Sequence, residues 1–392
     1  MIQRASYIDK LSDALRRSPI TALLGPRQSG KTTLAQMFGK DKNATYFDLE
    51  SQPDLRRLQN PEMILSSMKG IVILDEIQEK PELFAVLRVL VDRPDNPPRF
   101  LILGSASPHL VKNVSETLAG RVEFIELSGF DLSETGPNAS ETLWTRGGFP
   151  RSFLAETDED SLVWRDGFIR TFLERDIPSL GINIPFVAMR RFWTMLAHYH
   201  GQTWNASELA RSMGMSDKTV RSYLDILTGT YMVRQLQPWH ENIAKRQVKA
   251  PKIFFRDSGL LHSLLNLPDL HTLLGHPRVG ASWEGFALEQ LLHAVQPSEA
   301  FFWSTHSGAE VDLFFLYKGL RYAVEFKFNE APKVTRSMRI AQNDLRLDHL
   351  WIIYPGQYSY PVDDKITVCP LIEVPNLSDQ FNPVLSTPTD HR

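Results

Sequence analysis

The stretch Gly25-Pro26-Arg27-Gln28-Ser29-Gly30-Lys31-Thr32-Thr33 fits G-x-x-x-x-G-K-[ST] at every fixed position. The apolar run Ile20-Thr21-Ala22-Leu23-Leu24 before it reads as a buried strand, and Leu34-Ala35-Gln36-Met37-Phe38 after it as the first turns of a helix. Strand, glycine loop and helix in that order are the setting in which such a loop binds phosphate. The glycines let successive backbone N–H groups turn inward around an anion. The helix start adds free N–H groups and the positive end of its dipole. Gly25 through Thr33 are therefore expected to hold ATP, with Lys31 reaching the β- and γ-phosphates. The Thr32 hydroxyl is expected to ligate Mg²⁺, a cation that keeps several waters and takes few protein oxygens.

The chain has 392 residues, enough for two to four domains, and its 42% hydrophobic and 23% charged content is ordinary for a soluble globular protein. A net charge of −3 excludes a polycation, so any nucleic-acid surface must be local. Cys369 is the single cysteine, which excludes an intrachain disulfide and a Cys-based zinc site. The start, Met1-Ile2-Gln3-Arg4, has no apolar stretch of signal-peptide length, and no run nears the ~18 apolar residues of a membrane span. The expected location is the cytoplasm, with no membrane partner.

Strands are expected at Ile20–Leu24, Ala44–Leu49, Gly70–Leu74, Phe100–Leu103 and Val122–Leu127, alternating with helical stretches. That alternation predicts a mostly parallel sheet covered by helices, with strands apolar on both faces. Ile71-Val72-Ile73-Leu74 runs into Asp75-Glu76, the pattern of a Walker B strand. Asp75 is expected in the Mg²⁺ shell and Glu76 to orient the attacking water, although an acidic pair there also suits a helix start. Ser105, at the tip of the next strand, suits a γ-phosphate sensor or a simple Gly-Ser turn. Arg121, in Leu118-Ala119-Gly120-Arg121, suits an arginine finger acting within the chain or on a neighbouring copy, or a solvated surface residue.

These residues, with Gly147-Gly148-Phe149-Pro150, Arg175-Asp176-Ile177, Lys252–Leu260 and Trp283–Phe286, resemble in order a family of prokaryotic AAA-type ATPases. In that family the ATPase core precedes a C-terminal domain of unknown function, and the resemblance spans nearly the whole chain. It implies an ATPase, a winged-helix segment and a nuclease-like C-terminal fold.

The expected organisation is an AAA-type α/β domain over 1–140, a helical connector over 141–190, a winged helix over 191–278, an α+β restriction-endonuclease-like domain over 279–376 and a disordered tail over 377–392. In the connector, Trp144, Phe149, Phe153, Trp164, Phe168 and Phe172 read as helical core packing. In the third segment, a helix at Ser207–Ser212, a turn at Met213-Gly214-Met215 and a Ser216-capped helix from Asp217 form a helix-turn-helix. Its second helix would offer Lys218, Thr219, Arg221 and Ser222 to a major groove. Lys245, Arg246 and Lys249 would add a basic patch for a phosphate backbone, or the module would bind protein instead.

In the last domain, Glu284 on a helix, Asp312 on a strand and the E-x-K pair Glu325 and Lys327 resemble a PD-(D/E)xK nuclease core. Glu284, Asp312 and Glu325 would hold Mg²⁺ or Mn²⁺ at a site open to solvent, with Lys327 beside the attacking water. The alternative is a closed ion cluster paired with Arg or Lys that cleaves nothing. The function expected overall is ATP hydrolysis coupled to double-stranded DNA, by a protein that self-associates or acts alone. The rival is an ATP-gated DNA- or protein-binding switch with a silent C-terminal domain.

Overall fold

The computed structural model describes residues 2–94 and 97–377. Of the expected tail, Leu377 is buried, and the remainder lies outside the described residues. The chain divides into two compact units that interleave in sequence. The first takes residues 1–130, 147–192 and 210–233; the second takes 131–146, 193–209 and 234–392. Each is described by itself.

The first unit is built on five strands: β1 (Ile20–Gly25), β2 (Thr45–Asp48), β3 (Ile71–Asp75), β4 (Arg99–Ser105) and β5 (Val122–Glu126). They form an all-parallel sheet in the order β2-β3-β4-β1-β5. Side chains alternate across a strand, so one strand run serves two cores. Leu23, Ile73, Leu101 and Leu103 pack under the helices Ala5–Arg17 and Lys31–Asp41, through Tyr7, Leu11, Leu34 and Phe38. Ala22, Leu24, Val72, Leu74, Phe100 and Ile102 pack on the other face against Leu83, Phe84, Leu87 and Leu110. Every residue of β1 is buried, as a central strand covered on both faces requires. The P-loop thus leaves the carboxyl end of a central strand, with β3 and β4 ending beside it.

Two further features shape this unit. The aromatic series over 149–172 packs as core: Phe149, Trp164, Phe168 and Phe172 lie ring against ring, with successive centroids 5.3–6.2 Å apart. A π-helical turn, Phe172–Asp176, follows that series. Gly129 and Gly148 meet backbone to backbone, and the Phe130 N–H donates to the Gly148 carbonyl at 2.6 Å.

The second unit carries a mixed sheet of β6 (Gln202–Thr203), β7 (Val233–Pro238), β8 (Lys252–Phe255), β9 (Phe301–Ser304), β10 (Glu310–Tyr317), β11 (Leu320–Phe326), β12 (His349–Tyr354), β13 (Tyr360–Asp363) and β14 (Ile366–Pro370). Its order is β13-β14-β12-β11-β10-β9-β7-β8-β6. Strands β10 and β11 form an antiparallel hairpin, β11, β12 and β14 run parallel, and the helix Val279–Val295 belongs to the same unit. Trp303, Val311, Phe314, Ala323, Leu350 and Ile352 form its core with Met338 and Leu345. In the first unit's residues 210–233, the helix Asp217–Gly229 follows Ala206–Met213, with Gly214 in the left-handed region (φ 67°) between them, and the Ser216 hydroxyl accepts from the Thr219 N–H. Among the described residues no helix is long and apolar enough to cross a membrane.

A Cβ at position 148 would strike the Phe130 backbone, whereas one at Gly167, in the helix Asp158–Thr171, meets nothing within 4 Å. Gly148→Ala is expected to lower stability by about 2–3 kcal/mol, as a backbone clash that must be relieved. Gly167→Ala should raise it by about 0.5–1 kcal/mol, because alanine restricts the unfolded chain and favours helix. Denaturant melts of both variants read the two signs.

Candidate functional site

The P-loop is held from three sides. Gln28 (φ 62°) and Gly30 (φ 93°) adopt left-handed backbone, which turns the loop back on itself. The buried Arg4 guanidinium donates to the Ser29 carbonyl at 3.0 Å and to the carbonyls of Ser128 and Gly129 after β5, at 3.2 and 3.0 Å. Arg27 pairs with Asp176 of the π-helical turn at 3.0 Å. Gly25 can have no side chain, since a Cβ there would strike the Leu127 carbonyl.

Inside this frame Lys31 is buried, and its ammonium donates to the carbonyl oxygens of Gly25 and Pro26 at 3.1 and 2.8 Å. Burial pushes it down to about 8, partly offset by the charges of Glu76 and Asp75. The Ser29 hydroxyl is buried without a hydrogen-bond partner among the described residues. Gly30, at the N-cap of the helix Lys31–Asp41, supplies no side-chain cap. Gln28, Gly30, Lys31, Thr32, Thr33 and Glu76 line a cleft of about 390 Å³, closed on one side by Pro150 and Arg151. A left-handed turn at Gln28 and Gly30, an uncapped helix start and a lysine hydrogen-bonded to two carbonyls fit a polyphosphate and its Mg²⁺.

The Walker B residues end β3 beside this loop. Asp75 is buried, and its carboxylate accepts from the Tyr46 hydroxyl at 2.5 Å and from the Glu76 N–H at 2.9 Å. Burial and then the Asp75 carboxylate raise the Tyr46 phenol well above its ordinary range. Glu76 adopts left-handed backbone (φ 54°) and takes a short hydrogen bond from the Gln78 side-chain amide. Its side chain caps no helix, although Ile77–Glu79 follows as a single 3₁₀ turn. Ser105 ends β4 directly opposite Gly25 in register. Its hydroxyl is buried without a partner and lines a second cavity of about 330 Å³ together with Arg27, Gln78 and Asp176.

Arg121 is not brought to this cleft. It precedes β5 at the end of the sheet where β1 begins, its carbonyl accepting from the Ile20 N–H at 3.1 Å. The full length of β1, about 3.3 Å per residue, separates it from the P-loop. Its guanidinium forks onto the exposed Asp92 at 2.8 and 2.7 Å, and that partner raises it. Within one chain it is a surface residue. The cation in the cleft that sequence reading missed is Arg151, just past Gly147-Gly148-Phe149-Pro150. Tyr46 and Gln78 were missed as well. Nothing in the sequence states that β2 lies beside β3, and Gln78 differs from any polar residue only by its nearness to Glu76.

In the second unit, Glu284, Asp312, Glu325 and Lys327 do converge, but around an ammonium. Lys252 on β8 reaches Glu310 at 2.5 Å, Asp312 at 3.5 Å and Glu284 at 3.9 Å, and it is only 5% exposed. Lys327 pairs with Glu325 at 2.8 Å. The Asp312 carboxylate accepts from the Phe326 N–H at 3.0 Å, and the Asp312 N–H donates to Glu325 at 3.4 Å. Asp312 and Glu325 are buried and the cluster is paired internally, while the side chains of Glu310 and Lys327 are 40% and 36% exposed. Among the described residues no group of three or more His, Cys, Asp or Glu could hold a metal ion. Burial, followed by the Asp312 charge, holds the Glu284 and Glu325 carboxyls well above the ordinary carboxylate range. Burial opposes the charge on Lys252, but Asp312, Glu284 and Glu310 outweigh it and raise that ammonium.

Of the residues expected to face DNA, Lys218, Thr219 and Ser222 line a groove of about 510 Å³ with Ile182, Ile184, Tyr223 and Ile226. Arg221, Arg246 and Lys249 are exposed, and Lys245 pairs with Asp344 at 2.6 Å.

Lys252→Met would leave buried carboxylates facing apolar atoms. The expected cost is about 3–5 kcal/mol at pH 8 and above, as for breaking a buried pair by removing one partner. The raised Glu284 and Glu325 carboxyls take up protons in the folded chain as pH falls through about 8. The cost should therefore shrink on acidification and grow as pH rises. Melts of wild type and variant between pH 5 and 8 test that sign.

Family models match an AAA domain over residues 17–136 and two domains of unknown function, DUF8612 over 138–271 and DUF4143 over 279–374. The uncharacterized proteins Rv2008c of Mycobacterium tuberculosis and Mb2031c of Mycobacterium bovis are each 50% identical over 374 residues, covering 95% of this chain and 85% of the relative. Among solved structures, the Walker-type ATPase PABY2304 of Pyrococcus abyssi is 14% identical with a TM-score of 0.44, covering 68% of this chain and 96% of its own. The RuvB Holliday junction branch migration motor of Thermotoga maritima is 19% identical with a TM-score of 0.30, covering 60% and 90%. At those TM-scores neither bears on the function of this chain.

Proposed function

The chain belongs to the family of the mycobacterial proteins Rv2008c and Mb2031c, as an AAA-type P-loop ATPase with C-terminal domains of unknown function, and on that premise we propose that it binds ATP with Mg²⁺ in the P-loop cleft and hydrolyses it. The observation that carries this reading is the Lys31 ammonium, buried and hydrogen-bonded to the Gly25 and Pro26 carbonyls. Glu76 and Asp75 offset its burial only in part, and phosphate oxygens supply the remaining negative charge.

Gly25, Pro26, Arg27, Gln28, Ser29, Gly30, Thr32 and Thr33 wrap the phosphates with backbone N–H groups and hydroxyls. Thr32 and Asp75 would hold the Mg²⁺, which neutralises charge on the β- and γ-phosphate oxygens. Arg151 adds a cation from the facing wall, and Glu76 orients the attacking water.

A second reading concerns the other unit. The Lys252 ammonium among Glu284, Glu310 and Asp312 supports a domain that binds and does not cut, which makes the protein an ATP-gated switch. Its proposed partner is duplex DNA, through Arg246 and Lys249, both exposed. Binding should weaken steeply with salt, as counterion release requires, and plasmid should stay uncut with Mn²⁺. Salt-independent binding, or cleavage lost in Asp312→Ala, would each overturn this reading.

For the ATP site, Lys31→Ala should lose nucleotide binding in calorimetry, and Glu76→Gln should bind normally but release phosphate about 100-fold more slowly. ATP favours the charged ammonium, so affinity should be full below the Lys31 value of about 8 and fall as pH rises through it. Normal hydrolysis by Glu76→Gln would refute the Walker B assignment.

A further inference from the structure

Two buried polar atoms near the P-loop have no hydrogen-bond partner among the described residues, the Gln78 amide oxygen and the Ser105 hydroxyl, and both residues line the same cavity of about 330 Å³. Buried polar groups are nearly always satisfied, and an orphan calls for a ligand or a water. A water needs two to four polar partners and a polar cavity of sufficient size. Gln78 also donates its amide N–H to the Glu76 carboxylate, so one side chain joins Glu76 to that cavity. The close fit of Gln78 has a cause in β4: a Cβ at Gly104 would stand 3.1 Å from the Gln78 amide oxygen and 2.5 Å from Leu110. The strained left-handed backbone of Glu76 (φ 54°) completes the arrangement, since such strain persists only where its surroundings enforce it.

Resting on the ATPase reading above, we propose that Gln78 is a positioning residue for hydrolysis. Its N–H fixes the Glu76 carboxylate, and its amide oxygen accepts a hydrogen bond from the attacking water, with the Ser105 hydroxyl as a further partner. The water then has one hydrogen on Glu76 and the other on Gln78, which aims its lone pair at the γ-phosphorus. In the step itself the water oxygen bonds to the γ-phosphorus. The bond from that phosphorus to the β–γ bridging oxygen breaks with its electron pair remaining on ADP. The proton of the water leaves by way of Glu76 to solvent.

The test is a double-mutant cycle in full-length protein, using Gln78→Ala and Gln78→Met, each alone and combined with Glu76→Gln, read by ATP affinity and by single-turnover hydrolysis. Affinity should stay within about twofold, while hydrolysis falls about 10- to 100-fold. In the Glu76→Gln background, removing Gln78 should slow hydrolysis no further, because both residues act on the same water. Gln78→Met keeps the length of the side chain and guards against a folding defect. Wild-type rates in either Gln78 variant, or losses that add to those of Glu76→Gln, would overturn the inference and leave the ATPase reading intact. A wild type that binds ATP and never hydrolyses it would overturn both.

Discussion

A lysine ammonium buried against two carbonyl oxygens of its own loop sets the terms for the first unit. Lys31 can lie there only because Gly25 passes under the Leu127 carbonyl without a side chain, and because the loop turns back at Gln28 and Gly30. Arg4 and Asp176 brace the same loop from outside, the first through carbonyls and the second through Arg27. The sheet order brings the ends of β4 and then β3 to the same side of this point, so Asp75, Glu76 and Ser105 arrive together from separate strands. The cleft is thus a consequence of a parallel sheet with the P-loop strand near its middle.

The two units solve the problem of a buried lysine in opposite ways. Lys31 has carbonyls for company, and burial lowers its affinity for the proton. Lys252 has three carboxylates, which raise it despite burial. A charge held by neutral dipoles gains most from an incoming anion. A charge already neutralised by acids blocks an incoming cation from the same acids. The first arrangement favours an incoming phosphate, and in the second Lys252 already offsets part of the carboxylate charge.

Much of this was legible in sequence because it is local. The P-loop, the acidic end of β3 and the E-x-K pair each sit within a few residues, where spacing alone dictates which side chains share a face. The helices of the 206–229 segment were legible too, from the Ser216 cap and Gly214. What depended on strand order was not. Lys252 lies far along the chain from Asp312 and Glu325, and only the pairing of distant strands brings them together. The placement of Arg121 at the far end of β1 was not legible either, because a glycine-arginine pair carries no sign of which end of the sheet it occupies. Arg151 was not legible because nothing after Gly147-Gly148-Phe149-Pro150 marks which side chain turns toward the cleft. The interleaving of residues 131–146 with the second unit left no compositional mark at all.

The account stands on ATP exchanging its phosphates for the carbonyls that now hold Lys31. Amide hydrogen exchange by mass spectrometry, with and without Mg²⁺-ATP in the Glu76→Gln protein, measures that directly. Slowed exchange in peptides covering Gln28–Thr33 and Glu76–Gln78 is the result predicted, because bound phosphate oxygens protect the N–H groups that cradle them. Unchanged exchange across Gln28–Thr33 at saturating ATP would contradict it.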